Sequence, residues 1–221
     1  MSEDHSNRDG NFVNPILLRI AVIAVALVIW FWTQKLIARN SSDEPGIGDW
    51  VHRLTAGWHR YFLTHDKAAD RLLILSSFFI DLLGLSLIAG AVFGPSFAPF
   101  VAIIIVFSLR QVSQLCCTLP PPAGMIWRDP GFPTILVTYG VSNDLFFSGH
   151  TALAVLGAIE IYQYGPWWLG VAAIFIALGE VLVVLTLRAH YTMDVIAGAF
   201  AAWFAADMAN RVAPFIDGWL K

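Results

Sequence analysis

The chain changes from a polar loop to an apolar run at Phe146-Phe147-Ser148-Gly149-His150-Thr151. It does so again forty residues later, at Arg188-Ala189-His190-Tyr191-Thr192-Met193-Asp194. Each histidine is therefore expected at or near the first turn of a helix. A helix start offers unpaired backbone N–H groups and the positive end of the helix dipole, which together favour an anion. Two histidines in such positions predict a phosphate site.

The spacing within the second stretch adds an orienting group. His190 and Asp194 are four residues apart, and residues at this spacing lie on one face of a helix. We therefore expect Asp194 to hold one ring nitrogen of His190 and to leave the other nitrogen free to attack.

The composition is that of an integral membrane protein. Hydrophobic residues make up 57% of the 221 positions and charged residues only 13%, with a mean hydropathy of +0.67. Soluble domains carry about 25% charged residues. The net charge of -3 and the absence of a basic block argue against a nucleic-acid partner. We predict an all-α polytopic protein with about six membrane helices of roughly 20 residues in one bundle.

The predicted organisation is a polar N-terminal tail at 1–14 and a six-helix membrane catalytic domain at 15–221. Within that domain we expect an interfacial amphipathic link at about 38–71 and a Pro/Gly-rich active-site loop at about 120–145. The predicted spans are 15–37, 72–93, 97–119, 146–164, 167–187 and 191–209.

The link has a helical pattern of its own. Large apolar residues recur at helical spacing, which predicts a helix lying in the membrane surface. A short soluble connecting helix is the alternative. We expect the three histidines of the link, His52, His59 and His65, to be solvated. The apolar residues are Trp50, Leu54, Trp58 and Tyr61.

Counting membrane crossings tests the site without using any motif. With six spans, the end of the third, the start of the fourth, the end of the fifth and the start of the sixth all reach the same side. Arg110, His150, His190 and Asp194 are therefore predicted to meet at one membrane face.

Three pieces of the chain resemble the sphingomyelin synthases, a branch of the type 2 phosphatidic acid phosphatase superfamily. They are Asp144 to Thr151, His190 to Val195, and Arg110 followed by Thr118-Leu119-Pro120-Pro121-Pro122. The resemblance implies six membrane helices, a reactive face on the exoplasmic side, cytoplasmic termini, and no metal or cofactor. The positive-inside rule conflicts with this orientation, because most of the thirteen Lys and Arg fall on the reactive side.

Carried over to this sequence, the resemblance assigns His190 as nucleophile, Asp194 as its orienting carboxylate, and His150 as the acid that protonates the departing alcohol. A histidine nucleophile needs a fixed tautomer and an alkoxide leaving group needs a proton, so this division suits the chemistry. Substrate-binding candidates are Arg110, Ser148, Gly149, Asp144 and Arg188. Ser148 could instead be a helix cap, Arg110 a snorkelling residue and Asp144 a turn residue.

Two positions depart from the phosphatases of the group. Cys117 and Val184 stand where those enzymes carry additional arginines. A phosphomonoester carries nearly two negative charges at pH 7 and a phosphodiester one, so fewer cations fit a diester. This favours transfer of a phosphocholine or phosphoethanolamine head group from a phospholipid to ceramide or diacylglycerol. A lipid phosphatase or phospholipase C-like hydrolase with water as acceptor is the alternative, and Arg188 or Arg128 could restore a charge.

Other classes were weighed against this one. Two histidines and a carboxylate can form a facial triad for iron, but membrane di-iron enzymes need many more histidines. A lipid-binding scaffold that retains the motif is the non-catalytic alternative. Phospholipids, lipid alcohols and membrane lipids are the expected partners, and the sequence does not indicate an oligomeric state.

Three carboxylates are predicted near mid-membrane, where such groups are costly and often functional. Asp81, Glu160 and Glu180 are expected about 13 to 15 Å from the histidine layer at the 1.5 Å rise of a helix. We predict a buried acidic cluster beneath the site. The alternative is three separate carboxyls bonded to nearby Ser, Tyr or backbone groups.

Overall fold

The computed structural model describes residues 14–37, 47–139 and 145–220. Within these ranges every regular element is an α-helix, so the predicted fold class is confirmed for them. The predicted tail, apart from Asn14, and the candidate Asp144 lie outside the described residues. The helices are α1 (Pro15–Ile37), α2 (Trp50–Leu54), α3 (Ala56–Thr64), α4 (Asp66–Phe93), α5 (Ala98–Cys116), α6 (Gly149–Tyr164), α7 (Trp167–Thr186) and α8 (Thr192–Trp219).

Five of the described helices are long and apolar enough to cross a membrane: α1, α4, α5, α7 and α8. The sixth predicted span corresponds to α6, which has 16 residues and a length of about 24 Å. That is less than the hydrocarbon core of about 30 Å, so the structure does not confirm six spans. The apolar run predicted a helix at 146–164, which is three residues too long. Residues 146–148 form the turn and the cap before α6.

Helix α6 lies at the centre of the bundle and packs against α4, α5, α7 and α8. Small residues permit these close approaches. A Cβ at Gly198 of α8 would lie 2.7 Å from the Ser148 carbonyl oxygen, and one at Gly157 would lie 3.1 Å from Leu83. Helix α8 meets α5 through its alanine-rich side, on which Ala202, Ala205, Ala206, Ala209 and Ala213 are buried.

Helix α1 packs much more loosely than the others. Only 6% of its most apolar window is buried, against 39–44% for the other four candidate spans. Its contacts are with α4 and α5. The Arg19 guanidinium donates to the carbonyl oxygens of Ala91 and Val92, which are among the last carbonyls of α4 and have no partner within that helix.

The predicted surface helix is divided into α2 and α3 at Thr55. Its four large apolar residues are all more than half exposed, as expected for a face toward lipid. The prediction for the histidines was wrong for two of three: His52 and His59 are 6% and 1% exposed, whereas His65 is exposed. The reason is that the two rings pack against the end of α7 and the turn after it, where they donate to the backbone carbonyls of His190 and Thr186.

The long loop after α5 folds into the bundle. The backbone N–H groups of Ile135 and Leu136 donate to the two carboxylate oxygens of Asp81, at 2.9 and 2.8 Å. The Leu136 side chain then packs against Gly84. Its Cδ1 occupies the space that a Cβ at position 84 would need. Non-helical backbone at membrane depth needs its polar groups satisfied by protein, and Asp81 does this.

The predicted acidic cluster does not form, because each carboxylate has different surroundings. Asp81 accepts from the loop backbone, and Glu180 accepts from Ser76 Oγ at 2.6 Å. Neither oxygen of Glu160 has a hydrogen-bond partner among the described residues. All three are buried but have different neighbours, so the separate arrangement describes Asp81 and Glu180.

Candidate active site

The His190 turn, residues 187–191, connects α7 to α8 and has a backbone fixed on several sides. The N–H groups of Ala189 and His190 donate to Val184 O at 2.8 and 3.4 Å. Arg188 adopts a φ of 55°, in the left-handed region that non-glycine residues seldom occupy. This reversal places His190 two residues before α8 begins, near the first turn of that helix but not within it.

The position of His190 outside the helix changes which group holds its ring. His190 Nδ1 lies 2.9 Å from the carbonyl oxygen of Leu145 and 3.8 Å from Asp194 Oδ2. The same Asp194 oxygen accepts the backbone N–H of Tyr191 at 2.8 Å. Because a carbonyl can only accept, Nδ1 carries the proton, and Nε2 keeps its lone pair. Leu145 therefore takes the orienting part predicted for Asp194, which caps α8 and supplies charge close by.

Two side chains of the surface helices support the same turn. His52 Nε2 donates to His190 O at 2.9 Å, and its ring stacks on Tyr191 with centroids 5.7 Å apart. Asp49 accepts the Thr192 N–H at 2.6 Å and the Thr192 hydroxyl at 2.8 Å, while capping α2 through Val51 N. Burial opposes charge on Asp49, but these bonds hold the pKa of its carboxyl below the ordinary value.

His59 and Arg188 extend this support to the loop after α5. His59 Nδ1 donates to Thr186 O at 2.9 Å, and its ring packs beside Gly124, which has a φ of 75°. Burial, with a smaller contribution from the nearby Arg188 charge, lowers the pKa of His59. Arg188 donates to Ala123 O at 2.7 Å, so this candidate phosphate ligand holds the loop.

His150 is the second residue of α6, as predicted for the first turn. Ser148 caps this helix by accepting the Thr151 N–H at 3.2 Å, and its side chain is fully buried. The edge of the Trp127 ring meets the His150 ring at a centroid distance of 4.9 Å. His150 Nε2 is buried without a hydrogen-bond partner among the described residues. The turn thus presents an imidazole whose ring nitrogen is available to a ligand.

Arg110 approaches the start of α6 from α5. Its Nε donates to the Phe147 carbonyl at 2.8 Å. The guanidinium lies so close to Gly149 that a Cβ there would sit 3.1 Å from Nε and 3.2 Å from Cζ. Arg110 is 4% exposed, so it does not snorkel to a surface. Gly149 matters here because it lets the cation reach the helix start.

One cavity brings three of the predicted groups together. Arg110, His150 and His190 all line it, with Gly149 between the first two, and it measures about 970 Å³ including its open mouth. Its remaining walls are mostly apolar and come chiefly from α1, α4, α5 and the loop that carries Trp127, Leu136 and Val137, with Leu153 of α6 and Ala189 of the His190 turn. A polar end with apolar walls suits an amphipathic lipid.

A family model described as AtPDCT1/2 matches residues 49–211. The chain belongs to the AtPDCT1/2 family. This family comprises phosphatidylcholine:diacylglycerol cholinephosphotransferases, so membership indicates an enzyme that transfers phosphocholine between lipids. No curated protein and no solved structure matches the chain.

Membership of the AtPDCT1/2 family corrects the resemblance to the sphingomyelin synthases and the type 2 phosphatidic acid phosphatases, from which this family is distinct. The three matching pieces contain the candidate residues Arg110, His150 and His190, and residues that similar chemistry requires do not separate one family from another. The expectation of a lipid head-group transferase agrees with the family, whereas the sphingolipid and hydrolase assignments have no support from it.

Within this AtPDCT1/2 member, the remaining candidate site residues Ser148, Asp194 and Arg188 do not line the cavity. Ser148 and Asp194 are fully buried, and Arg188 is bound to the loop. Arg128 is held by Asp66 and Asp70 on α4. Of the described residues that line the cavity, Arg110 is the single arginine or lysine. The sequence analysis missed Trp127 and the Leu145 carbonyl, the first for lack of a motif and the second because backbone groups carry no sequence signal.

Proposed function

We propose that this chain transfers phosphocholine from phosphatidylcholine to diacylglycerol through a phosphohistidine formed on His190. The carrying observation is the cavity in which Arg110, His150 and His190 meet, with the His190 Nε2 lone pair left free by the bond from Nδ1 to Leu145 O. Membership of a cholinephosphotransferase family supports the choice of donor and acceptor.

In the first step, His190 Nε2 attacks phosphorus and the bond from phosphorus to the diacylglycerol oxygen breaks. The imidazolium form of His150 gives its proton to that oxygen, so diacylglycerol leaves as the neutral alcohol. The phosphorylated His190 ring is positively charged while Nδ1 keeps its proton. The Asp194 carboxylate, 3.8 Å from that nitrogen, stabilises the charge.

In the second step, neutral His150 takes the hydroxyl proton of another diacylglycerol as that oxygen attacks phosphorus. The phosphorus–nitrogen bond breaks, and its electron pair returns to His190 Nε2. A new phosphatidylcholine leaves, and both histidines recover their starting states. The overall reaction exchanges one diacylglycerol for another on a phosphocholine group.

The charges of the cavity favour a phosphocholine diester. A diester has one negative charge, which the single lining arginine, Arg110, can offset. No described lining residue is a carboxylate. A quaternary ammonium donates no hydrogen bonds and binds well to aromatic faces, and Trp127 and Phe107 both line the cavity.

Under this proposal the reactive face lies on the exoplasmic side of the membrane and the termini lie in the cytoplasm. This is the orientation expected from the sequence. It can be mapped by labelling a cysteine introduced near the cavity mouth with a membrane-impermeant reagent.

The test is a transfer assay on purified protein in nanodiscs containing choline-labelled phosphatidylcholine. With unlabelled diacylglycerol of a different chain length, label is expected in a new phosphatidylcholine species. His190→Ala and His150→Ala should each abolish or nearly abolish this product, whereas His65→Ala, at an exposed histidine, should not. Free phosphocholine as the main product would make the protein a hydrolase, and full transfer by His190→Ala would overturn the mechanism.

A further inference from the structure

The cavity wall formed by α1 carries polar atoms that have no partner. Gln34 lines the cavity and is only 4% exposed, yet neither its amide nitrogen nor its amide oxygen has a hydrogen-bond partner among the described residues. One turn earlier on α1, the indole Nε1 of Trp30 is in the same condition. Buried polar atoms of native proteins are rarely left unpaired, so these three atoms point to a missing partner.

Neighbouring polar residues on the same two helices are paired. Thr33 of α1 accepts a hydrogen bond from the side-chain amide of Gln111 on α5. The contrast shows that the α1–α5 contact can satisfy a polar group where no cavity intervenes. On the part of α1 that lines the cavity, two buried donor groups and one acceptor have no partner among the described residues.

The positions of Trp30 and Gln34 make them act together. They are four residues apart in one helix and therefore share a face. The Trp30 ring packs edge-on against Phe107, with centroids 5.7 Å apart, and Phe107 lies one turn before Arg110 on α5. All four side chains line the cavity that contains the two histidines.

These unpaired atoms have the hydrogen-bonding pattern complementary to a diacylglycerol. The site offers an indole N–H, an amide NH₂ and an amide oxygen, which makes two donor groups and one acceptor. The glycerol end of a diacylglycerol has two ester carbonyls to accept and one hydroxyl to donate. A ceramide instead has one amide N–H and two hydroxyls as donors, and it matches this set less well.

We propose that Trp30 and Gln34 form a subsite for the ester-bearing glycerol backbone of the lipid acceptor. This rests on the proposed function, in which diacylglycerol is the acceptor, and it adds residues that select the acceptor. Helix α1 precedes residues 49–211, so the family match does not assign this subsite.

The test compares acceptors with and without ester carbonyls: 1,2-diacylglycerol and its 1,2-dialkyl ether analogue. One to two neutral hydrogen bonds predict that the protein prefers the diacyl acceptor about tenfold in kcat/KM. Gln34→Met and Trp30→Phe, which keep size and apolar packing, should each reduce this preference, and the double variant should abolish it. Trp32→Phe and Leu36→Met, at exposed positions of the same helix, should leave it unchanged.

A purely structural role for the pair predicts a different result. In that case Gln34→Met would lower turnover of both acceptors by the same factor and leave the preference intact, which would overturn the subsite. Equal use of the two acceptors by the unmodified protein would overturn it as well.

A binding measurement separates this inference from the proposed reaction. His190→Ala protein, which cannot react in the proposed manner, is titrated with the diacyl and dialkyl lipids in detergent, and the shift in unfolding temperature is recorded. Stronger stabilisation by the diacyl lipid, lost on adding Gln34→Met, supports the subsite even if no transfer is found with the unmodified protein. Equal stabilisation by both lipids contradicts the subsite even if transfer is found.

Discussion

The two segments that carry the histidines are built in opposite ways. The His190 turn is fixed by Leu145 on the ring, by His52 on the carbonyl, and by Asp49 at the start of α8. The His150 ring is positioned by the α6 helix start and by the edge of Trp127, and its Nε2 has no partner among the described residues. One imidazole is fixed in place and in tautomer, while the other awaits a ligand.

This difference matches what two-step group transfer requires. A nucleophile that forms and breaks a bond to phosphorus must keep one orientation through both steps, and supporting hydrogen bonds provide it. A proton carrier must instead meet an oxygen that arrives with each lipid. Unpaired polar atoms therefore belong on the surfaces that the substrate completes.

The largest effects are expected when one of the two histidines is removed. His190→Ala should abolish transfer from every phosphocholine donor, because no other group can form the intermediate. His150→Ala should lower transfer from phosphatidylcholine by roughly 10²–10⁴, the usual contribution of a general acid or base. The two variants can be distinguished with p-nitrophenyl phosphocholine, a donor whose leaving group needs no proton. The measurement follows the release of p-nitrophenol. With this donor, the His150→Ala variant should release p-nitrophenol and the His190→Ala variant should not. The reverse pattern would make His150 the nucleophile and His190 the acid.

Loosening the loop after α5 should give an intermediate effect. Asp81→Asn serves as the comparison on the other side of the cavity, since it replaces one of the two acceptor oxygens for Ile135 and Leu136 by an NH₂ group. Leaving a buried N–H unpaired costs about 1–3 kcal/mol. We expect a loss of that size in thermal unfolding, and a Glu180→Gln variant, which keeps an oxygen for Ser76, should lose less. Equal losses would show that the loop does not depend on Asp81.

Asp49→Ala should weaken the support behind His190 rather than the chemistry itself. Losing the cap of α2 costs about 1 kcal/mol, and turnover should fall several-fold because Thr192 also loses its acceptor. The pKa of Asp49 is lowered in the folded protein, so its carboxylate stabilises the fold above its ordinary value of 3.8 and loses this contribution as the pH falls through the folded pKa. Unfolding curves from pH 5 downward should therefore fall less steeply for Asp49→Asn than for the unmodified protein.

The smallest effect is expected for Arg128→Ala. Its partners Asp66 and Asp70 are 76% and 35% exposed at their side chains, and exposed ion pairs contribute about 0–1 kcal/mol. Transfer should stay within about twofold of the unmodified value, since Arg128 does not line the cavity. A loss of a hundredfold would mean that Arg128 reaches the phosphate during the reaction.

The sequence predicts best what depends on long patterns. The bounds of α1 were predicted as 15–37 and are Pro15–Ile37, because an apolar run of that length leaves little choice. Counting crossings predicted that Arg110, His150 and His190 meet, and they line one cavity. That prediction assumed six spans, of which the described helices confirm five by length and composition.

Features that depend on a turn or on backbone atoms were not predictable. The i to i+4 rule assigned Asp194 to the His190 ring, but the rule holds only inside a helix, and His190 precedes one. His52 and His59 were expected in solvent because they lie in the interfacial link, and no pattern indicates that they bond to backbone carbonyls 138 and 127 residues later. Asp81 and Glu180 are buried, and their hydrogen-bond partners come from the loop backbone and from Ser76.

The central claim is that phosphocholine becomes bound to His190 between two lipids. The most direct measurement is mass spectrometry of purified protein that has been mixed with phosphatidylcholine without diacylglycerol and then quenched. The account predicts a phosphocholine adduct on a peptide containing His190, which disappears as new phosphatidylcholine forms when diacylglycerol is added. Rapid transfer between lipids with no adduct at any time, or an adduct on another residue, would contradict it.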